Sequence, residues 1–211
     1  ELKDAQEVLR LSHQRLLSHR EHTPLAVIEW NTDFEVTDWN QAAEDIFGYS
    51  KEEILGRHPT ECILPESARE LVYKVWEDLL HSGKSNRCTN KNITRDGRSI
   101  LCDWYNTPLV DHNGAVIGVA SLVDDITERK ISEEMIWKQA NYDTLTGLPN
   151  RNMFHERLAQ DMLKADRSKR PLALLLVDLD QFKEVNDTLG HDTGDLLLQE
   201  AARRISACIR Q

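Results

Sequence analysis

The first 22 residues contain neither Gly nor Pro, and this segment ends at Thr23-Pro24. Leu2, Leu9 and Leu16 recur every seven residues, and Val8, Leu11 and Leu17 widen this apolar stripe. This pattern predicts an amphipathic helix. Small or polar residues hold the second core position of the heptad, namely Ala5, Ser12 and His19. A helix packed on its own domain and a helix that pairs with a second copy therefore both remain open.

The next segment predicts two strands followed by helices. Leu25–Trp30 and Glu35–Trp39 are rich in strand-forming residues and flank a polar turn, which predicts two adjacent strands. Asn40 is a favourable N-cap for the following helix, and Ser50–Glu53 has the sequence of a capping box. A longer helix is predicted over Glu66–His81. Its inner stripe is expected to consist of Leu71, Val75, Leu79 and Leu80.

Two tight-turn dipeptides then separate three further strand segments. Asp96-Gly97 predicts a hairpin between Cys88–Arg95 and Arg98–Val110, and Asn113-Gly114 turns the chain into Ala115–Val123. Two strands, short helices and three strands together predict an α+β fold. We expect a five-stranded antiparallel sheet that carries its helices on one face.

The last third of the chain combines helices with one continuous apolar run. Residues 128–141 lack a helix breaker and predict a helix that leads into the Asp143 segment. Pro171 opens an apolar run that ends at Asp178, which predicts a strand buried on both faces. Two more helices are predicted, over Gln181–Leu189 and Asp195–Ile209. The expected inward residues of the second are Leu197, Leu198, Ala201, Ile205 and Cys208.

Four short motifs follow one another in the middle of the chain. They are Trp39-Asn-Gln-Ala-Ala43, Phe47-Gly-Tyr-Ser50, Glu53-Ile-Leu-Gly56 and Asp125-Ile-Thr127. With the predicted order of strands and helices, they resemble a PAS domain. PAS domains are sensor modules, so the resemblance implies that residues 23–128 receive a signal.

Three longer motifs lie in the C-terminal part. They are Asp143-Thr-Leu-Thr-Gly-Leu-Pro-Asn-Arg151, Asp178-Leu-Asp-Gln-Phe-Lys-Glu-Val-Asn-Asp187 and Gly190-His-Asp-Thr-Gly-Asp195. Together they resemble the start of a GGDEF domain, the α/β module of diguanylate cyclases that joins two GTP molecules into cyclic di-GMP. The two resemblances predict four parts: an N-terminal helix (1–22), a PAS sensor domain (23–128), a linker helix (129–141) and the N-terminal portion of a GGDEF domain (142–211).

The resemblance to a GGDEF domain implies a GTP site that works with Mg²⁺. Asp178 is the expected metal ligand, because hard cations take oxygen ligands. Backbone amides near Phe182 and Lys183, at the start of a helix, are expected to bind phosphate. Asn186 and Asp195 are expected to accept hydrogen bonds from guanine. On spacing alone these last two would be capping or solvated residues, and only the surrounding motif assigns them to guanine.

Four other polar residues of this part are predicted to be structural. Asp180 is expected to cap the helix that follows it. Asp143 and Arg151 are expected to staple the turn that contains Gly147 and Pro149. His191 has no Ser, Cys or carboxylate at a catalytic spacing, so we interpret it as a structural residue.

The 211 residues do not contain the Gly-Gly-Asp-Glu-Phe signature that names the family. In the family, this signature supplies the second metal-binding acid and helps to deprotonate the attacking ribose hydroxyl. We therefore expect a GGDEF domain that is truncated before its signature and inactive by itself. The expected function is the sensory and regulatory region of a cyclic di-GMP signalling protein whose PAS domain controls a diguanylate cyclase.

The alternative is a degenerate GGDEF domain that senses GTP or supports dimerisation, with a downstream EAL phosphodiesterase as the regulated enzyme. A cyclase of this family must bring two GTP-loaded domains face to face. We therefore expect a homodimer through the PAS domain and its flanking helices, including Ile131 and Met135 of the second helix.

PAS domains often bind flavin, haem or a small metabolite between sheet and helices. The light-sensing flavin type needs a Cys in a Gly-Arg-Asn-Cys-Arg run, but the comparable stretch here starts at Gly56 and reads Gly-Arg-His-Pro-Thr, with Cys62 out of place. Haem in this fold usually takes a His from the long central helix, and Glu66–Leu80 contains none. We expect neither group, and the ligand stays unknown. The Trp residues that could line a flavin pocket are interpreted as core, and they are Trp30, Trp39, Trp76 and Trp104.

Charge, cysteine positions and apolar runs limit the classes of partner and the locations that the sequence allows. The formal net charge of −10 argues against a nucleic-acid surface, although backbone amides and a metal can still bind a nucleotide. The cysteines show no metal-ligand spacing and are interpreted as isolated, buried thiols in a reducing cytosol; they are Cys62, Cys88, Cys102 and Cys208. The longest apolar run, Leu172–Val177, is too short to cross a bilayer, and no signal peptide opens the chain. We expect a bacterial cytoplasmic location, with an upstream membrane anchor left open.

Overall fold

The computed structural model describes residues 2–208, and the chain divides into two compact units between Lys130 and Ile131. Within the first helix, the side chains of residues 2–5, 8, 9, 13, 16, 17 and 19 lie outside the described residues. The predicted stripe of Leu2, Leu9 and Leu16 is therefore not described. No helix in the described part of the chain is long and apolar enough to cross a membrane.

The N-terminal unit is built around one sheet. Its helices are α1 (Leu2–Glu21), α2 (Gln41–Phe47), α3 (Lys51–Ile54) and α4 (Arg69–Ser82), with 3₁₀ turns at Pro59–Glu61 and Glu66–Ala68. Its strands are β1 (Ala26–Trp30), β2 (Val36–Trp39), β3 (Asn86–Ile93), β4 (Ser99–Val110) and β5 (Val116–Asp125). The strand order is β2-β1-β5-β4-β3, and every neighbouring pair is antiparallel. The predicted five-stranded sheet is confirmed.

Local turn chemistry explains the long hairpins. Gly97 and Gly114 both have positive φ, at 84° and 81°, where a residue without Cβ avoids a steric clash. The Asp111 carboxylate accepts from the amides of Asn113 and Ala115 at 2.8 and 2.9 Å, which closes the turn between β4 and β5. On β5, a Cβ at Gly118 would clash with the carbonyl oxygen of Trp30. This close approach lets the first strand pair with the last.

Asn40 joins three elements of the N-terminal unit. Its Oδ1 accepts from the amides of Val27 and Ala43 at 2.9 and 3.0 Å, so it caps α2 as predicted. Its Nδ2 donates to the carbonyl oxygens of Arg20 and Leu25 at 2.9 and 3.1 Å. Asn40 is 1% exposed, and its side-chain amide makes these four hydrogen bonds inside the protein.

Helix α4 faces the core with three of the four predicted residues: Leu79 is buried, and Val75 and Leu80 pack against the core. Leu71 is 49% exposed, so its assignment to the core was wrong, whereas Val72 packs against the core and Trp76 and Leu79 are buried. The helical period defines a stripe but leaves open which neighbouring row turns inward. Trp76 decides it here, because its large ring stacks on Phe34.

The C-terminal unit contains only helices and irregular segments among its described residues. Helix α5 (Thr127–Asn141) leads into it without a break, and the further helices are α6 (Arg151–Ser168), α7 (Phe182–Leu189) and α8 (His191–Cys208). The predicted strand before Asp178 is not formed: this segment has no strand partner, and Leu176 is 98% exposed. A strand needs a hydrogen-bonded neighbour, and the described residues supply none.

Two predicted helix boundaries also need correction. Helix α8 begins at His191, so Asp195 lies inside it and does not start it. The residue at the N-cap of α7 is Gln181, with φ of 58°, so the predicted cap by Asp180 is wrong. Among the predicted inward residues of α8, Leu197, Ile205 and Cys208 are exposed.

Candidate functional site

The N-terminal unit encloses a cavity of about 40 Å³ between the sheet and α4. This space accommodates a water molecule or two, since a buried water needs at least about 10–15 Å³ by the same measure. Four aromatic rings line the cavity, and they belong to Trp30, Phe34, Trp76 and Trp104. Strands β3, β4 and β5 also contribute amide and hydroxyl groups to the lining. No charged side chain lines the cavity within the described residues.

The polar groups that line the cavity form a buried hydrogen-bond network. Trp30 Nε1 donates to Ser121 Oγ at 3.0 Å, and Ser121 Oγ donates to Asn106 Oδ1 at 2.7 Å. Further along, Asn92 Oδ1 accepts from Asn90 Nδ2 and from Trp104 Nε1, each at 3.1 Å. Every one of these side chains is buried. Since burying an unpaired amide is costly, the bonds between neighbours explain how uncharged polar groups are tolerated here.

Cys88 lies between the two halves of this network. Its Sγ is 3.9 Å from Asn106 Nδ2 and 3.8 Å from Asn90 Oδ1. Burial raises the pKa of this thiol, and it raises the pKa of Cys62 to about 11. Both side chains are therefore neutral near pH 7.

Phe34 is one of the aromatic residues that line the cavity, and it was not among the predicted site residues. Its ring stacks on Trp76 with centroids 3.8 Å apart, and it meets the rings of Trp30 and His58 edge-on at 5.1 and 5.2 Å. The backbone of Phe34 has φ of 65°, a left-handed conformation that favours Gly. No sequence signal distinguishes this Phe from an ordinary core residue, because the strain appears only in the folded turn.

In the C-terminal unit, the Asp143 motif forms a compact turn. The Asp143 carboxylate accepts from the amide and the hydroxyl of Thr146 at 2.9 and 2.7 Å. The Thr146 hydroxyl and amide lower the pKa of this carboxyl. The predicted staple to Arg151 is absent, and Arg151 Nε instead points to His155 Nε2 at 3.5 Å. Gln199 Nε2 donates to the carbonyl of Leu145 at 3.3 Å, which links the turn to α8.

Two of the predicted nucleotide residues meet where α7 packs on α8. The half-buried Asn186 side chain lies directly against Gly194, where any Cβ would collide with Asn186 Oδ1, and the Phe182 ring lies beside the same glycine. Asp195 follows Gly194 in the chain and is exposed. The structure therefore brings Asn186 to the turn of α8 that carries Asp195. Gly194 makes this approach possible and was not singled out from the sequence.

The residues predicted to bind metal and phosphate do not form a common site in the described part of the chain. Asp178 is exposed and has no hydrogen bond or ion pair within the described residues. Lys183 is also exposed. The amide of Phe182 already donates to the carbonyl of Leu179 at 3.4 Å. The predicted phosphate cradle and metal ligand are thus neither assembled nor tested by this arrangement, and they stay predictions.

A Mg²⁺ site would need several oxygen ligands around Asp178. Residues 2–208 contain no group of three or more His, Cys, Asp or Glu side chains that could hold a metal ion. The described residues therefore do not fit a complete Mg²⁺ site, and one carboxylate alone does not make one.

Two protein-family models match the chain, one over each of its two units. The family model described as "PAS fold" matches residues 21–131, more than half of the chain. The model described as "Diguanylate cyclase, GGDEF domain" matches residues 140–211. The crystal structure of a PAS domain from Colwellia psychrerythraea superposes with a TM-score of 0.51 at 20% identity, covering 55% of this chain and 98% of that domain. At this identity the likeness shows the fold alone.

Two curated relatives combine this similarity with an assigned activity. Diguanylate cyclase DgcM of Escherichia coli (strain K12) is 28% identical over 189 residues, which cover 89% of this chain and 45% of DgcM. Cyclic di-GMP phosphodiesterase PdeB of Shewanella oneidensis is 37% identical over 101 residues, which cover 48% of this chain and 11% of PdeB. The chain thus spans less than half the length of either relative.

The antiparallel five-stranded sheet and its helices define an α+β domain. The chain belongs to the PAS fold family, and its PAS domain is followed by residues of a GGDEF domain. Both resemblances are confirmed, whereas the exact boundaries drawn from the sequence stay predictions.

Proposed function

We propose that this chain is the sensory and regulatory region of a cyclic di-GMP signalling protein, in which the PAS domain controls a diguanylate cyclase that condenses two GTP molecules. The match of residues 140–211 to the GGDEF family carries the proposal. The unbroken helix α5, which runs from the end of the PAS sheet into the Asp143 segment, supports the regulatory part. A helix passes on a displacement, whereas a flexible linker absorbs it.

In this proposal, Asn186 and Asp195 select guanine. Their oxygen atoms accept hydrogen bonds from the Watson–Crick edge of guanine, which offers two N–H donors, and adenine leaves one of these acceptors unpaired. The packing of Asn186 on Gly194 supports this pairing, because it brings the amide to the turn that carries Asp195.

Asp178, Phe182 and Lys183 are assigned to the triphosphate side. Asp178 would hold Mg²⁺ together with ligands that the described residues do not supply, and the metal would neutralise phosphate charge. The amides at the start of α7 would contact phosphate oxygens. Since GTP is an intracellular substrate, we place the protein in the bacterial cytoplasm.

Assembly as a homodimer is part of the same proposal. Condensing two GTP molecules requires two loaded domains that face each other, which a two-fold dimer provides. Ile131, Met135 and Ile136 of α5 are 48–66% exposed. Exposed apolar side chains on a helix can pack against the same helix of a second copy, which supports a dimer contact here. Light scattering that finds only monomer at high micromolar concentration would remove this part.

The central experiment uses two proteins, the 211-residue chain and an extension of it through a Gly-Gly-Asp-Glu-Phe signature. With GTP and Mg²⁺, we expect cyclic di-GMP from the extended protein and none from the 211-residue chain. Asp178→Ala in the extended protein should abolish turnover. Asp187→Ala removes an exposed carboxylate of the same segment and should retain turnover. Equal activity of the Asp178→Ala variant would contradict the assigned metal role.

A second function is favoured by the similarity to PdeB. In that case the GGDEF residues bind GTP without turning it over and regulate a phosphodiesterase domain. An extended protein that binds GTP in calorimetry but makes no cyclic di-GMP would support this function over the cyclase.

A further inference from the structure

Phe34 fills the space next to the cavity with an aromatic ring that four others surround, the most distant being Tyr73 at 6.5 Å between centroids. Trp76 stacks on it face to face, while Trp30 and His58 meet it edge-on. The ring is only 7% exposed. Such geometries are favourable for flat aromatic rings in general and do not depend on the ring being part of the chain.

The backbone that presents this ring is strained. Phe34 has φ of 65° between Asn31 and Glu35, in a turn where a Gly would be free of strain. The Asn31 side chain holds the two flanking positions, because its Oδ1 accepts from the amides of Asp33 and Glu35 at 3.0 and 2.9 Å. The amide of Phe34 itself reaches only the carbonyl of Asn31, at 3.2 Å. Rotation of the Phe34 backbone out of the left-handed region would relieve the strain and withdraw the ring.

The polar wall beyond the ring limits what could take its place. Asn90, Asn92, Asn106 and Ser121 present amide and hydroxyl groups, and no Asp, Glu, Lys or Arg is among the described lining residues, although the basic side chain of His58 lies beside the Phe34 ring. A charged ligand would lose its hydration without gaining a counter-charge from the lining, whereas an uncharged ligand can exchange hydrogen bonds with these groups. Withdrawal of the Phe34 ring would leave room for one ring beside the cavity of about 40 Å³, which suits a compound of roughly the size of a substituted benzene.

We propose that Phe34 is a built-in plug of the PAS cavity, and that the ligand which replaces it is a small, uncharged, planar ring compound with hydrogen-bonding groups. The ligand ring takes the position between Trp76, Trp30 and His58, and its polar group reaches the amides around Asn106. Phe34 then relaxes from its strained conformation, which couples ligand binding to the turn between β1 and β2. This inference rests on the proposed sensory role of the PAS domain and needs no cyclase activity.

Three nearly isosteric probes test the inference on the 211-residue chain: benzamide is neutral, benzoate is an anion and benzamidine is a cation. Calorimetry is performed with the unchanged chain, with Phe34→Ala and Phe34→Gly as two plug-free variants, and with Phe154→Ala. Phe154 is an exposed ring that does not line the cavity, and it controls for the loss of a Phe elsewhere in the chain. Hydrogen exchange of residues 33–35 is followed with and without benzamide.

We expect benzamide to bind the unchanged chain and the Phe154→Ala variant with equal affinity and to accelerate exchange at residues 33–35. Either plug-free variant should bind benzamide at least tenfold more tightly than the unchanged chain, and at least tenfold more tightly than it binds benzoate or benzamidine. Binding by plug-free variants alone would overturn the inference, because the substitution would then have created the site. Equal affinity for the three probes, or binding without a change at residues 33–35, would also overturn it. None of these outcomes bears on cyclic di-GMP synthesis, which is measured separately.

Discussion

The side-chain amide of Asn40 donates to the carbonyl oxygen of Arg20 at 2.9 Å, which ties the end of α1 to the start of α2. Because the same side chain also bonds Leu25, Val27 and Ala43, it acts as a buried junction between helix and sheet. The hydrogen bond from Asn40 and the ion pair between Arg20 and Asp38 both hold the end of α1 on the PAS domain.

Replacing Asn40 with Ala should lower the free energy of unfolding of the PAS domain by about 3 kcal/mol, since a helix cap is lost and buried groups are left unpaired. Hydrogen exchange should also rise at the end of α1. Gln41→Ala, at the exposed neighbouring position, should change stability by less than about 0.5 kcal/mol. Denaturant unfolding that finds the two variants equally stable would contradict the role of Asn40.

A second prediction concerns Asp38 and acid. Burial opposes ionisation of this carboxyl, but the hydrogen bonds from Lys51 and from the Trp39 amide, together with the charge of Arg20, lower its pKa overall. A lowered folded-state pKa contributes stability above the unfolded pKa, and this contribution is lost as pH falls through the folded pKa. Asp38→Asn should therefore be less stable than the unchanged chain at pH 7 by about 1 kcal/mol.

The difference between the two proteins should shrink as pH falls below about 4, the ordinary pKa of an Asp. Thermal unfolding at several pH values measures this trend. A difference that stays constant from pH 7 to pH 3 would show that the ionisation of Asp38 does not contribute.

The cysteines should differ sharply in reactivity. Cys102 is buried and its pKa is raised by burial, whereas Cys208 is exposed. Because the thiolate is the reactive form, a thiol reagent at pH 8 should modify Cys208 quickly and Cys102 only on unfolding. Cys208→Ser should remove the fast phase, and Cys102→Ser should leave it unchanged. A fast phase that survives in the Cys208→Ser variant would place a reactive thiol elsewhere.

The strain at Phe34 predicts an unusual ranking of two substitutions. Both Phe34→Ala and Phe34→Gly lose the ring stacked on Trp76, so both should destabilise the PAS domain. The Gly variant should nevertheless be more stable than the Ala variant by about 1 kcal/mol, because Gly adopts positive φ without a steric penalty. In an unstrained strand or helix the order would be reversed. Chemical denaturation of the two variants measures the difference.

Local signals in the sequence predicted most of the PAS domain and less of the remainder. The Asp96-Gly97 and Asn113-Gly114 turns define their hairpins locally, so their strands were predicted correctly. Leu71 was assigned to the core wrongly, because the burial of Trp76 is a tertiary effect. Likewise, the helix predicted to start at Asp195 begins four residues earlier, at His191, and Gly194 inside this helix admits the Asn186 side chain. A sequence pattern carries no information about such close contacts between helices.

The exposed apolar run before Asp178 leads to the last prediction. Leu176 is 98% exposed and Leu175 is 80% exposed, although their sequence predicts a strand covered on both faces. If neighbouring strands supplied beyond these residues bury the run, its side chains matter only in a longer protein. Leu176→Lys should then change the unfolding free energy of the 211-residue chain by less than about 0.5 kcal/mol.

In a protein extended through the signature, the same substitution should cost about 3 kcal/mol, because it introduces an unpaired charge into a core. Gln160→Lys changes an exposed position of α6 and serves as the control in both proteins. Urea unfolding of the four variants gives the comparison. An equally small effect of Leu176→Lys in both proteins would show that the run does not form a buried strand, and would remove the support it gives to a metal site at its end.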